Sequence, residues 1–268
     1  MSLPITPRSL LRGAALAAAL CLVGTSFAQA ETIRVGVTAG PHAEVLDVVK
    51  KVAAGQGLDI KVVEFTDYVV PNQALANKEL EANSFQHEPY LKNQVAKTGW
   101  KIVKVAQTIA SPQGIYSIKY KSFDEVPAGA TIAIQNDPSN AARSLQILAH
   151  YGLIKLKPDA GITATELDII ENPKKFKFIQ LDAAQLPRAL PDVDAASINN
   201  NYAVQAGLNP AKDALIREPV DGPWVNILAV REEDKDKPWV KQLIAAYHSD
   251  AVKAFLAERF KGSYLPTW

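Results

Sequence analysis

A strand-then-helix series that runs once, breaks and starts again constrains this chain more than any other feature. Residues 32–38 (TIRVGVT) are an apolar, β-branched run that predicts a buried strand. Ala39-Gly40-Pro41 follows, and Val45, Val48, Val49 and Val52 then recur at helical spacing up to Gly55 and Gly57. Residues 60–65 predict a second strand. Pro71 starts a helix through Leu80, residues 82–85 form a short strand, Pro89 opens a helix to Gly99, and 102–109 is a further strand. The series then restarts. Residues 114–119 are extended and 123–129 are turn-rich. A strand at 131–134 leads into a helix over 139–151, and 176–181 is again a strand. A short helix holds Pro187 and Leu190, a strand covers 195–198, and 225–230 is extended. In the closing segments Val240, Leu243, Ile244 and Tyr247, then Val252, Phe255, Leu256 and Phe260, fall on apolar helical faces.

Alternating strands and helices predict an α/β fold with largely parallel sheets. Two such units, with helices returning after the second, predict two lobes joined by two extended crossings at 114–119 and 225–230. The first lobe then comprises residues 31–118 and 226–268, and the second 119–225. A ligand in such a protein sits in the cleft, at the carboxyl ends of strands from both lobes.

The first 30 residues are set apart. Arg8 and Arg12 precede an apolar run over 10–23, and Ala28-Gln29-Ala30 offers a small-x-small cleavage site. This is a secretory signal, too short to read as a spanning helix. Cleavage there leaves 238 of the 268 residues and removes two cations, so 27 basic residues face 28 acidic ones. Near-neutral charge gives no electrostatic case for nucleic acid. The one cysteine, Cys21, follows Leu20, whereas an acylated lipoprotein cysteine follows a small residue. The expected product is therefore a soluble periplasmic chain beginning at Glu31. Lacking cysteine, it has no disulfide framework, thiolate metal site or cysteine nucleophile.

Polar and aromatic residues gather just after the predicted strands. Ala82-Asn83-Ser84-Phe85-Gln86-His87-Glu88-Pro89-Tyr90 mixes rings that pack against an apolar ligand with groups that hydrogen-bond its polar end. The same residues can equally be core, with His87 capping a helix. In Gln135-Asn136-Asp137-Pro138-Ser139-Asn140-Ala141-Ala142-Arg143, Asp137 suits an N-cap and Pro138 the first helical position. Ser139, Asn140 and Arg143 share one face beside first-turn N–H groups that favour an anion. Arg143 can make the forked pair with a carboxylate, or pair with a nearby acid on the surface. Asn199-Asn200-Asn201-Tyr202 ends an apolar strand, with Asn199 the member expected at the cleft, and Asn226 sits alone inside an apolar run.

Catalysis finds no motif: G-x-S-x-G, the P-loop, GxGxxG and H-E-x-x-H are all missing, and no cofactor is implied. His42 and His87 can meet at the cleft, so a metal site with Glu88 stands as an alternative, although a third ligand is not obvious.

Taken together, Val35-Gly36-Val37, Glu64-Phe65-Thr66-Asp67-Tyr68, Asn83-Ser84-Phe85-Gln86-His87, Asn136-Asp137-Pro138-Ser139-Asn140 and Arg143-Ser144-Leu145 resemble the methionine-binding NlpA/MetQ family of ABC-importer binding proteins. Gly152-Leu153-Ile154-Lys155-Leu156, Asp168-Ile169-Ile170-Glu171-Asn172-Pro173, Gln185-Leu186-Pro187-Arg188, Tyr202-Ala203 and Val225-Asn226 continue the match in order. The resemblance implies a type II periplasmic-binding-protein fold, a binding protein rather than an enzyme, and methionine (L- and D-) held between the lobes. Its partners would be the permease and ATPase subunits of an importer; another amino acid or a short peptide is the alternative cargo. It further implies that Tyr68, Phe85, His87 and Tyr90 line the side-chain pocket. Asn140 would stand beside Arg143, which clamps the α-carboxylate, and Asn199 and Asn226 would complete the head-group contacts. A thioether packs well against aromatic rings. Two departures stand out: the cysteine lacks a lipidation context, and Asn200 and Asn201 replace small hydroxyl residues.

Overall fold

The computed structural model describes residues 31–268; the signal segment, with Cys21 and the cleavage site, lies outside the described residues. The chain runs β1 (Glu31–Thr38), α1 (Pro41–Ala54), β2 (Leu58–Phe65), α2 (Val70–Ala76), β3 (Ala82–Asn83), α3 (Glu88–Thr98), β4 (Ile102–Gln107) and β5 (Ile109–Ala110). It continues through β6 (Gly114–Tyr116), β7 (Thr131–Gln135), α4 (Pro138–His150), β8 (Lys155–Leu156), β9 (Ile169–Glu171), β10 (Lys177–Leu181), α5 (Leu186–Ala189), β11 (Ala195–Ile198) and α6 (Asn200–Gln205). It closes with β12 (Ala214–Arg217), β13 (Ile227–Arg231), α7 (Pro238–Tyr247), α8 (Asp250–Phe260) and β14 (Leu265–Pro266).

Two five-stranded sheets divide these strands, in the orders β2-β1-β3-β13-β4 and β10-β7-β11-β6-β12. Each begins with three mutually parallel strands and then takes an antiparallel fourth. That fourth strand has the same origin in both lobes. β6 has just arrived from the first lobe, and β13 has just returned from the second. The sheets are therefore mixed rather than largely parallel, because a strand delivered by a crossing enters from the opposite direction.

Side chains from the two faces of each sheet feed separate cores. Leu228 and Val230 point into the cluster built with α1, α7 and α8, while Ile227 and Ala229 point to the other side, with Leu75 and Leu91. In the second sheet Ile132 and Ile134 join Leu145 and Leu148 of α4, and Ala133 joins Leu186 and Tyr202. Both sheets are thus covered by helices on both faces, and their ligand-accessible edges are strand ends.

The crossings lie elsewhere than at 114–119 and 225–230. Gly114–Tyr116 is hydrogen-bonded within the second sheet, and Ile227–Arg231 within the first. The chain changes lobes at 111–113 and at 218–226, so the second lobe begins ahead of residue 119 and ends ahead of 225. Apolar extended segments look alike whether they cross or pair, and only their partners distinguish them. The first crossing is pinned where β14 pairs with β5, bringing the C-terminal segment to the hinge. Among the described residues no helix is long and apolar enough to cross a membrane.

Candidate ligand-binding site

The parallel strands β1, β3, β7 and β11 all end facing the cleft, and each delivers part of one cavity. β1 runs into Gly40, whose φ of 79° requires glycine; the turn swings α1 so that His42 is buried at the cleft. After β2, the Asp67 carboxylate accepts from Val69 N (2.7 Å) and Val70 N (3.0 Å), fixing the loop that carries Tyr68. β3 passes directly into Phe85, Gln86 and His87. Asp137 caps α4 by accepting from Asn140 N (2.9 Å), and this sets Asn140 and Arg143 on the cleft face. β11 ends in Asn199. These residues line one narrow cavity in the cleft.

One half of the cavity is aromatic. Ring centroids of Tyr68 and Phe85 are 6.0 Å apart, Phe85 and Tyr90 6.1 Å, and Tyr68 and Tyr90 6.2 Å. Tyr202 backs Tyr68 at 5.1 Å. Tyr90 Oη donates to the Tyr68 carbonyl (2.8 Å) and Tyr68 Oη donates to Asn201 Oδ1 in the other lobe (2.6 Å). Burial pushes both phenols above their ordinary range, so they remain donors.

The other half is polar and carries one cation. Arg143 lies buried, 3% exposed, with its guanidinium 5.5 Å from the Trp224 ring. Its Nε donates to Glu218 Oε1 (2.7 Å), and Nη2 donates to Glu218 Oε2 and to the Ser111 carbonyl (3.1 Å). Nη1 has no protein partner among the described residues. Asn199 is held at both ends, donating to Asn140 Oδ1 (3.0 Å) and accepting from Gln135 Nε2 (2.8 Å). Asn226 Nδ2 donates to His42 Nε2 (2.8 Å), leaving its Oδ1 available. Asn201 Nδ2 is buried without a partner among the described residues.

Both cleft histidines are neutral. His42 Nε2 accepts from Asn226, so Nδ1 carries the proton and donates to Thr38 Oγ1 (3.0 Å). His87 Nδ1 accepts from Tyr90 N (3.1 Å), so Nε2 carries the proton and donates to Asn140 Oδ1 (3.2 Å). Burial lowers His42 to about 4, and burial, helped by the Arg143 charge, lowers His87 to about 3.

The family model described as NlpA lipoprotein matches residues 33–268. The chain belongs to the NlpA lipoprotein family. Members of this family are solute-binding proteins, not enzymes. The D-methionine-binding lipoprotein MetQ of Salmonella typhimurium is 46% identical over 239 residues, 88% of each chain. A nutrient-binding protein from Burkholderia cenocepacia, solved bound to methionine, is 54% identical with a TM-score of 0.86, covering 88% of this chain and 100% of that one. A periplasmic substrate-binding protein of an ABC transporter from Coxiella burnetii is 46% identical with a TM-score of 0.84, covering 87% and 99%. The NlpA family is extracytoplasmic, and these solved relatives share the two-lobed fold.

In this NlpA-family chain, Tyr68, Phe85, His87, Tyr90, Asn140, Arg143, Asn199 and Asn226 all line the one cavity, and His42, Gln86, Ser111 and Asn201 line it with them. The capping role of His87 and its place at the cleft are both real, since one ring nitrogen serves each. Ser139 turns away and donates to Asp137 (2.8 Å). The α4 terminus is not an open anion site, because the Asp137 carboxylate already occupies its first turn. Arg143 is neither on the surface nor free, being forked onto Glu218. The side chains of the metal alternative have protein partners: all four ring nitrogens of His42 and His87 are hydrogen-bonded, and Glu88 pairs with Lys92 and Lys104. No cluster of three metal-ligating side chains occurs among the described residues. Glu218 and Trp224 carried no signal, since the strand Ala214–Arg217 ahead of them was not predicted, and Ser111 bonds Arg143 through its backbone, which no side-chain pattern reveals.

Proposed function

We propose that this chain is the extracytoplasmic binding protein of an ABC importer and holds methionine between its two lobes. The observation that carries this reading is the division of one cleft cavity. An aromatic cage fills one end and a single cation among amides fills the other, matching an amino acid with a long apolar side chain. A thioether packed against Tyr68, Phe85 and Tyr90 gains polarizable contact with ring faces and edges. At the polar end, Arg143 Nη1 is left to take the carboxylate, and Asn226 Oδ1 to accept from the ammonium. Asn140 and Asn199 act at one remove, holding each other and His87 in place. Asn201 Nδ2 gives the carboxylate a second donor.

The relatives' names support the same reading: one is called D-methionine-binding and one was solved with methionine. Delivery to a membrane permease driven by an ATPase is the partner set that the Coxiella relative's description supports. Calorimetry with L- and D-methionine tests the assignment. A folded protein that binds neither, while binding another amino acid or a short peptide, would replace methionine as cargo.

Although relatives are called lipoproteins, we propose release after Ala30, because Leu20 ahead of Cys21 is too large for the acylation site. Mass spectrometry of the exported protein decides it: an acylated Cys21 would refute release.

A further inference from the structure

We propose that Glu218 sets the net charge of the ligand this cavity accepts, making the site selective for a net-neutral amino acid over an anion of the same shape. The inference deepens the methionine reading and rests on it. Among the described residues, Arg143 is the one formally charged side chain lining the cavity, since His42 and His87 are neutral. An arginine alone in a water-poor cleft would be a receptor for any carboxylate. Here its charge is cancelled from behind. Glu218 takes Nε and Nη2 in a forked pair, with the two side chains only 4% and 7% exposed.

Glu218 is held rigidly in that position. Its own N–H donates to the Gln113 carbonyl (2.8 Å), and Oε2 accepts from Gln113 N (3.2 Å). These bonds tie the second crossing to the first. Glu218 does not line the cavity, so it acts through Arg143 and through its field, as a positioning residue. Its partner Arg143 separates the cavity from a neighbouring pocket that Glu218 lines.

The charge count then decides selectivity. Arg143 and Glu218 sum to zero. A zwitterion leaves the buried site neutral, because its ammonium brings the compensating charge along with the carboxylate. A carboxylate without an ammonium leaves one uncompensated negative charge in a poorly hydrated space, which is costly. One unit charge a few ångströms from the carboxylate is worth about tenfold or more in affinity.

The test compares methionine with its α-hydroxy analogue, in which a hydroxyl replaces the ammonium and the rest is unchanged. Calorimetry on the wild type, Glu218→Gln and Glu218→Asp yields the ratio of the two affinities. Loss of positioning lowers both ligands alike, because both present the same carboxylate, so the ratio isolates charge. The expected result is a wild-type preference for methionine that falls by about tenfold or more in Glu218→Gln and is held by Glu218→Asp. An unchanged ratio in folded Glu218→Gln overturns the proposal alone. A wild type that binds neither ligand overturns the methionine reading as well. If Glu218→Gln does not fold, the wild type decides: equal affinity for the two ligands overturns the proposal, and rejection of the hydroxy acid with retention in Glu218→Asp supports it.

Discussion

Replacing Arg143 by alanine strands Glu218, and this makes two separable predictions. The substitution deletes the two bonds to the Glu218 carboxylate and the bond to the Ser111 carbonyl. Glu218, 9% exposed with Arg143 in place, keeps only the Gln113 N–H as a charge-stabilising partner. Removing one member of a buried pair costs about 3–5 kcal/mol, mostly as the desolvation of the ion left behind. For a chain of this size each kcal/mol moves Tm by about 2–4 °C, so the midpoint should fall by roughly 6–20 °C. Ligand affinity falls for a different reason, because the carboxylate loses its cation. That loss is about 2–5 kcal/mol, or roughly thirty- to several-thousand-fold in Kd. Removing Glu218 together with Arg143 relieves the stranded charge, so the Arg143→Ala/Glu218→Ala protein should regain much of the lost stability and little of the affinity. Thermal unfolding and calorimetry on the two variants provide the cycle. A single variant that melts like wild type would mean that the pair is not desolvated. A double variant that recovers affinity would mean that Glu218 repulsion, not loss of the arginine contact, weakened binding.

Stability should decline as pH drops from 7 to 5. His42 and His87 titrate near 4 and 3 when folded but near 6.5 when unfolded, so the unfolded chain binds more protons in this window. The full contribution is present above the unfolded value and fades below it, by up to about 1.4 kcal/mol per pH unit for each histidine. Denaturant midpoints that are flat between pH 7 and 5 would contradict the burial of both rings. Tyr68→Phe removes the 2.6 Å bond to Asn201 Oδ1 across the cleft. Leaving a buried amide unsatisfied costs about 1–3 kcal/mol, so methionine should dissociate several-fold faster or more; stopped-flow release at the wild-type rate would sink the idea. Closure should be a hinge motion about 111–113 and 218–226. Scattering profiles identical with and without saturating methionine would argue against it.

Much of this architecture is legible along the chain because it is local. β7 and β11 are short apolar runs bounded by polar residues, and the start of α4 follows from Asp137-Pro138, a cap and a pre-set first-turn residue. The rule that ligands meet strand ends at the carboxyl side then turns those boundaries into a list of cleft residues, which is why Phe85, His87, Arg143 and Asn199 can be picked out before any fold is known. The crossings were not legible, since β6 and β13 differ from a linker only in what their N–H and C=O groups pair with.

Sequence by itself determined the class of the fold, the helix starts and the chemical types gathered at the cleft, because periodicity, capping and strand ends are properties of neighbouring residues. Tertiary structure alone decided how those groups are spent. Glu218 reaches Arg143 across 75 residues, Asn226 meets His42 across 184, and Tyr68 meets Asn201 across 133. Hydrogen bonds and ion pairs of this kind depend on distances of a few tenths of an ångström between segments that the chain order separates, and no local pattern encodes which donor faces which acceptor.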